Sequence, residues 1–345
     1  MCSKEEEEES AYFDCLPDAL LLLIFNKLHD LKSLTACLSV SKRFNALVPF
    51  ADTVCISVPV LRQSISISSS YVNGVLRFFF LNLFLKPLRC FHRLTAPPKS
   101  TTRSFDLSCC RKDGVLKIFK EMKSLHLELP SDGELGSSYG ASFLQWKAGF
   151  GSNLKTCIMV GAKSFRKCSR EEEREEEFME ESGLNDDELK LRVIWTISCL
   201  ISASTRHCML KQILSENPNI PLLERVVISD SNKQGMFCVG KEELVEMRNS
   251  INLQQESSLS SPSPAMERSP VPELNVKLWY LPVLELPESG YVMKGATLVL
   301  IKPVADGMIE DDGGDPLVGD EKPFIEAVRE MIKVKKSYLM TMSSF

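Results

Sequence analysis

Twelve cysteines and four histidines are the residues of this 345-residue chain best suited to nucleophilic or metal chemistry. Their spacing supports neither. Cys109-Cys110 is the only close pair, no C-x-x-C occurs, and His29, His92, His126 and His207 are far apart in sequence. Metal and redox sites usually draw ligands from close, patterned spacings, so scattered thiols read as reduced core residues. Gly149-Phe-Gly151 lacks the third glycine of a dinucleotide turn, and no H-E-x-x-H, G-x-S-x-G or Walker sequence is present. The acidic run from Glu310 to Asp315 lacks the alternating ligands and closing glutamate of a calcium loop. The chain is therefore expected to be non-catalytic, with no metal site and no cofactor. From Arg77 to Lys123, eleven Lys/Arg stand against Asp106, Asp113 and Glu121. No nucleic-acid motif accompanies them and the net charge is -5, so they read as a solvated rim rather than a nucleic-acid surface.

What the chain does concentrate is apolar surface for docking. Pro17 sits where a helix can start, because its missing N–H would be unpaired there. Leu16, Leu20, Leu23, Ile24 and Leu28 follow at helical spacing, and Leu21, Leu22 and Phe25 widen that stripe nearly all round. Two more short helices are expected, over residues 31–38 with Leu31, Leu34 and Leu38, and over 39–48 with Val40, Phe44, Leu47 and Val48. Helices this short cannot enclose so much apolar side chain. The remainder must be covered by a partner or by the chain's own second domain, and residue physics alone leaves both open.

The order Leu16-Pro17, Leu20, Ile24, Leu28, Leu34, then Val40-Ser-Lys-Arg-Phe44 and Leu47 resembles the F-box without a gap. Ser41 stands where many members have Cys and Phe44 where many have Trp, and both keep size class or aromatic character. The resemblance implies binding to the Skp-type adaptor of a cullin–RING ubiquitin ligase. Leu16, Pro17, Leu20, Ile24, Leu28, Val40 and Phe44 would then form the adaptor face, some of them also packing the helices on one another. It further implies that the rest of the chain selects a protein substrate for ubiquitination and proteasomal degradation, with no catalysis of its own. The alternative is a non-ligase scaffold whose N-terminal helices pack on its own second domain.

The elements around this module are coarser. Residues 1–11, with Glu5 to Glu9 unbroken, read as a disordered acidic tail, 12–50 as the helical module, and 51–345 as an α/β domain. Flexible insertions are expected at about 166–184, 249–272 and 304–322. The second of these carries Ser261, Ser263 and Ser269, each before a proline, as candidate phosphorylation sites. Strands are expected at 53–60, 122–129, 153–160 and 223–230, and the last three resemble degenerate leucine-rich-repeat strands. Asn185 followed by Glu188 resembles a capping box at the head of a helix running to about 216. Strands over 274–303 and a closing helix over 326–336 complete the chain. Residues 75–91 are greasy but interrupted by Arg77, Asn82, Lys86 and Pro87, which argues for a buried helix over 75–85 and against a membrane span, with a membrane-surface helix flanked by Arg77, Lys86, Arg89 and Arg93 as the minor alternative. No signal peptide is read at the Glu-rich start, so the thiols fit the nucleus or cytoplasm.

Leu278-Trp-Tyr-x-Pro-x-Leu-Glu-Leu-Pro287, Gly295-Ala-Thr-Leu-Val-x-Ile-x-Pro303 and Val193-Ile-Trp-Thr-Ile-Ser198 resemble plant F-box proteins related to the auxin-up-regulated group. The overall expectation is thus an α+β or α/β chain, a three-helix F-box followed by an α/β layer.

Overall fold

A computed structural model describes residues 13, 15–61, 104–105, 107–111, 114–130, 142–168, 186–218, 220, 223–260, 273–304 and 322–342. The chain divides into two compact units, Val58–Leu107 and the remainder. Of the smaller unit, the described part is a short antiparallel pair, β2 (Val60–Leu61) with β3 (Ser104–Phe105). The helix expected over 75–85, the acidic insertion from 169, the residues bearing Ser261, Ser263 and Ser269, and the loop over 305–321 lie outside the described residues.

The larger unit begins with α1 (Asp18–Leu28), α2 (Leu31–Cys37) and α3 (Lys42–Leu47), ending in a 3-10 turn, Val48–Phe50. Ten strands then build one mixed sheet. They are β1 (Thr53–Ser57), β4 (Ser124–Leu129), β5 (Phe143–Phe150), β6 (Leu154–Ala162), β7 (Ser164–Lys167), β8 (Arg225–Asp230), β9 (Gly235–Val239), β10 (Leu274–Leu286), β11 (Tyr291–Pro303) and β12 (Tyr338–Met342). Their spatial order is β1-β4-β8-β9-β5-β6-β11-β10-β12, with β7 paired on β11. β1, β4 and β8 run parallel, whereas β5, β6, β11, β10 and β12 form successive antiparallel pairs. The architecture is α+β. Of the three repeat-like strands, β4 and β8 are parallel neighbours, while β6 lies between β5 and β11 with antiparallel partners on both sides.

Two helices take opposite faces of this sheet, because alternate residues of a strand point to opposite sides. On β6, Gly161 faces the Trp195 ring of α4 (Asp186–Glu216), while Ile158, Val160 and Ala162 belong to the core beneath α6 (Lys322–Ile332). On β11, Thr297 bonds Arg192 of α4, while Ala296 and Leu298 join Phe324, Ala327 and Met331 of α6. A side chain at Gly161 would run into Trp195, so only glycine permits this close helix–sheet approach. The Glu326 carboxylate of α6 accepts from the Glu288 N–H at 2.6 Å and the Ser289 N–H at 2.9 Å, fixing the turn between β10 and β11.

By length and apolar composition α4 could also cross a bilayer. Its buried Arg192, Arg206 and His207 are instead held by polar groups of the sheet, which makes it a core helix. Arg206 pairs with Asp230 and lies over the Trp146 ring, and Arg192 bonds Thr297 at 3.0 Å and lies over Tyr280. Its described residues start at Asp186, so the capping residue expected at Asn185 lies outside them.

Two expectations need correction. The linker expected from residue 249 begins no earlier than 261, since α5 (Lys241–Ser260) runs through the polar stretch. Its Leu244 and Met247 are buried and anchor the helix, which then extends as a mostly polar helix that pattern reading takes for a loop. The closing helix lies at Lys322–Ile332 rather than 326–336, and the residues after it prepare the edge strand β12.

His207 is buried among Phe150 and Phe237, with Nε2 3.1 Å from the Gly151 carbonyl. Burial pulls its pKa down to about 4, and burial also lowers that of His126. The unfolded chain therefore binds more protons than the folded one between about pH 6.5 and 4. Stability present above that window should fall as pH drops through it, with His207 contributing about 2 kcal/mol of loss by pH 5. Urea unfolding at pH 7.5 and 5 will show this loss in the wild type and a smaller one in His207→Gln.

Candidate functional site

The N-terminal helices owe their shape to local caps. Pro17 is extended and caps α1, its carbonyl accepting from the Leu20 N–H at 3.0 Å. It therefore stands one residue before the first helical position expected for it. Asp18 follows in the first turn, favourable beside the positive helix end. His29 turns into the left-handed region (φ 34°) and ends α1 by donating its N–H to the Phe25 carbonyl at 3.1 Å. Asp30 caps α2 by accepting from the Ser33 N–H at 3.0 Å, and Ser41 caps α3 by accepting from the Phe44 N–H at 3.1 Å. The third helix thus starts after Ser41, not at residue 39.

Arg43 closes the module. Its guanidinium donates to Asp18 at 2.6 Å, to the Phe13 carbonyl at 3.1 Å and to the Leu16 carbonyl, tying α3 to the head of α1. Leu21, Phe25, Leu31, Leu34 and Val48 fill the interior. The half-buried Phe44 ring meets Phe13 at 5.9 Å and Phe25 at 5.2 Å, both edge to face.

One side of the module is already occupied. The His29 carbonyl accepts from the Cys55 N–H of β1 at 2.6 Å, Asp30 bridges to Cys55, and the Asn26 side chain accepts from the Asp52 N–H at 3.0 Å. The helices therefore cover the β1 edge of the sheet. The other side stays open. Leu20 (45%), Leu23 (59%), Ile24 (38%) and Leu28 (39%) are all exposed on α1, on the side that the 3.6-residue repeat separates from Leu21 and Phe25. Val40 is exposed at 67% in the turn between α2 and α3, and Phe13 and Phe50 are exposed as well.

Of the seven residues singled out from the sequence, Pro17, Leu20, Ile24, Leu28 and Val40 are at the surface, while Leu16 and Phe44 are half-buried. Leu23 belongs with the exposed group and could have been found from its place on the same helical stripe. Little in the described residues resembles a reactive centre. No group of three or more His, Cys, Asp or Glu is arranged there to hold a metal. Burial pushes the Cys157 thiol up to about 12 and raises that of Cys199, and Cys110, 3.7 Å from the Cys109 sulfur, is also raised, so these groups stay protonated at neutral pH.

This capped three-helix module, greasy on its open side, is the architecture of an F-box, and residues 13–52 match the F-box-like family. Over its length the chain is 36% identical to the F-box protein At1g30200 of Arabidopsis thaliana (97% of this chain, 94% of the relative). It is 33% identical to the F-box protein AUF2 and 28% identical to AUF1 of the same plant, each over 96% of this chain and 99% of the relative. The chain belongs to this family of plant F-box proteins, which includes the auxin-up-regulated members. No solved structure gives a significant match.

The geometry separates packing from surface roles. Phe44→Ala should cost about 2–3 kcal/mol of stability, because it removes both edge-to-face contacts and opens a gap beside Phe25. Leu23→Ala should cost less than about 1 kcal/mol, as expected for an exposed site. Thermal or urea unfolding of the two variants checks the contrast.

Proposed function

We propose that this chain is the substrate-recruiting subunit of a Skp–cullin–F-box ubiquitin ligase. It binds the Skp-type adaptor through the open side of α1 together with Val40, and holds a target protein on the sheet domain. The observation that carries the reading is the row Leu20, Leu23, Ile24 and Leu28, exposed within a segment that matches the F-box-like family. Exposed leucines that a fold leaves uncovered at its own cost in water mark an interaction surface. The chain contributes proximity: a target tethered beside the charged ubiquitin-conjugating enzyme meets it at high effective concentration, and degradation of the ubiquitinated target follows. No disulfide joins any two of the described cysteines, which supports a nuclear or cytoplasmic setting.

The scaffold alternative also has a supporting observation, the hydrogen bonds that join His29 and Asp52 to the sheet domain. It accounts for the covered side of the module and leaves the exposed row unexplained. Removing residues 1–50 cannot separate the two readings, since either way the deletion strips the β1 edge.

Substitutions on the open side separate them. Purified full-length chain should capture a Skp-type adaptor. Leu20→Asp/Ile24→Asp should weaken capture by about 30-fold or more, corresponding to the roughly 2 kcal/mol of a central interface anchor, with an unchanged unfolding midpoint. Wild-type chain that fails to bind an adaptor that a known F-box protein binds would defeat the ligase reading. Loss of the folded state in the double variant would return those side chains to a packing role.

A further inference from the structure

Among the described residues, the far edge of the sheet carries a second uncovered surface. β12 pairs only with β10, and no described element hydrogen-bonds its outer backbone edge. Such an edge presents alternate N–H and C=O groups ready to receive another strand, and natural proteins usually guard it with charge, proline or a bulge. β12, Tyr-Leu-Met-Thr-Met, has none of these within it, and Tyr338, Leu339 and Met340 are exposed at 41%, 63% and 38%.

Beside this edge runs an apolar groove. Val276 and Leu278 of β10, Met340 and Met342 of β12, and Val193 and Ile197 of α4 line it. The register explains the lining: Val276 opposes Met340 and Leu278 opposes Tyr338, so their side chains share the face that α4 covers. On α4, Leu189, Val193 and Ile194 remain exposed at 40%, 39% and 44%, extending the apolar strip.

Charge supplies the polarity of the occupant. Lys335 and Lys336 are exposed immediately before β12 and form no ion pair among the described residues. The acidic groups nearest in sequence or on α4 are largely committed: Glu330 to Lys333 at 2.7 Å, Asp187 to Lys190 at 3.0 Å and Glu188 to Lys163. Asp186 sits on the first turn of α4, where the helix dipole favours it.

We propose that the outer edge of β12 receives an extended, acidic segment of a protein partner as an added strand. Alternate apolar side chains of that segment seat in the Val193–Met340 groove, and its carboxylates face Lys335 and Lys336. The inference deepens the receptor reading by naming where the target is held. Main-chain bonds would supply affinity, and the groove and lysines the selection.

The test is to pan a display library of random twelve-residue peptides on the full-length chain and measure enriched peptides by fluorescence anisotropy. Sequences alternating apolar residues with Asp or Glu are expected. Their affinity should fall about tenfold or more in Lys335→Glu/Lys336→Glu and in Val193→Glu, with unfolding midpoints matching wild type. Methylating alternate peptide amides should abolish binding in one register and spare it in the other, as strand addition requires. No enrichment, enrichment of basic peptides, or equal binding by the variants overturns the proposal. So does a concentration-dependent dimer that the same variants dissolve, which would make a second copy the occupant. Adaptor capture on the same samples keeps the readings apart. Capture without peptide binding defeats only the edge proposal, and peptide binding without capture defeats only the ligase reading.

Discussion

The joint between α1 and β1 organises the larger unit. Where α1 ends, His29 enters the left-handed region and its carbonyl is delivered to the Cys55 N–H of β1, while Asp30 both caps α2 and bridges to the same strand. This contact caps a parallel edge that would otherwise expose its backbone, and parallel strands are seldom left open to water. It also fixes which way α1 faces. With the joint set and Leu21 and Phe25 turned inward, the remaining leucines have nowhere to go but outward. No described part of the chain covers this apolar row, which is the surface proposed for the adaptor.

The same logic distinguishes the two ends of the sheet. At β1 the chain spends its own helices to close the edge; at β12 the described residues place lysines on the approach and pair nothing with the outer edge. Between them the sheet is held by helices on both faces, and four buried polar side chains tie the layers together: Arg192 to Thr297, Arg206 to Asp230, His207 to the Gly151 carbonyl, Glu326 to the turn amides. Buried charges of this kind cost stability when a partner is removed, and they fix which strand lies under which helix turn. The middle of the molecule is therefore specified, and its two ends are where the proposed partners would dock.

Much of the helical module was legible in the residues. Its apolar spacing, the proline before it and the Val40-to-Phe44 ending define three short helices, with boundaries corrected by one to three residues once the caps are seen. Division of labour within it was not legible, because Leu20 and Leu21 are equivalent in composition and only the direction of the α1–β1 joint decides which is buried. In the sheet domain, alternation revealed β1, β4, β6 and β8, and the β10–β11 segment. β5 escaped because Lys147 and Gln145, buried in its middle, break the apolar alternation, and Gly149 weakens it further. The strand order was beyond reach, since β9 and β5 pair across nearly 90 residues of sequence by contacts that no local pattern records. The second half of α5 was hidden by its Ser and Gln content, which local propensity treats as loop.

The central claim is that the open side of α1 binds a Skp-type adaptor while the joint to β1 stays closed. Amide hydrogen exchange on the full-length chain, with and without saturating adaptor, tests it directly. The account predicts added protection across residues 16–28 and at Val40, with β1 unchanged. Unaltered exchange in residues 16–28, or new exposure at Cys55 as the helices leave the sheet, would contradict it.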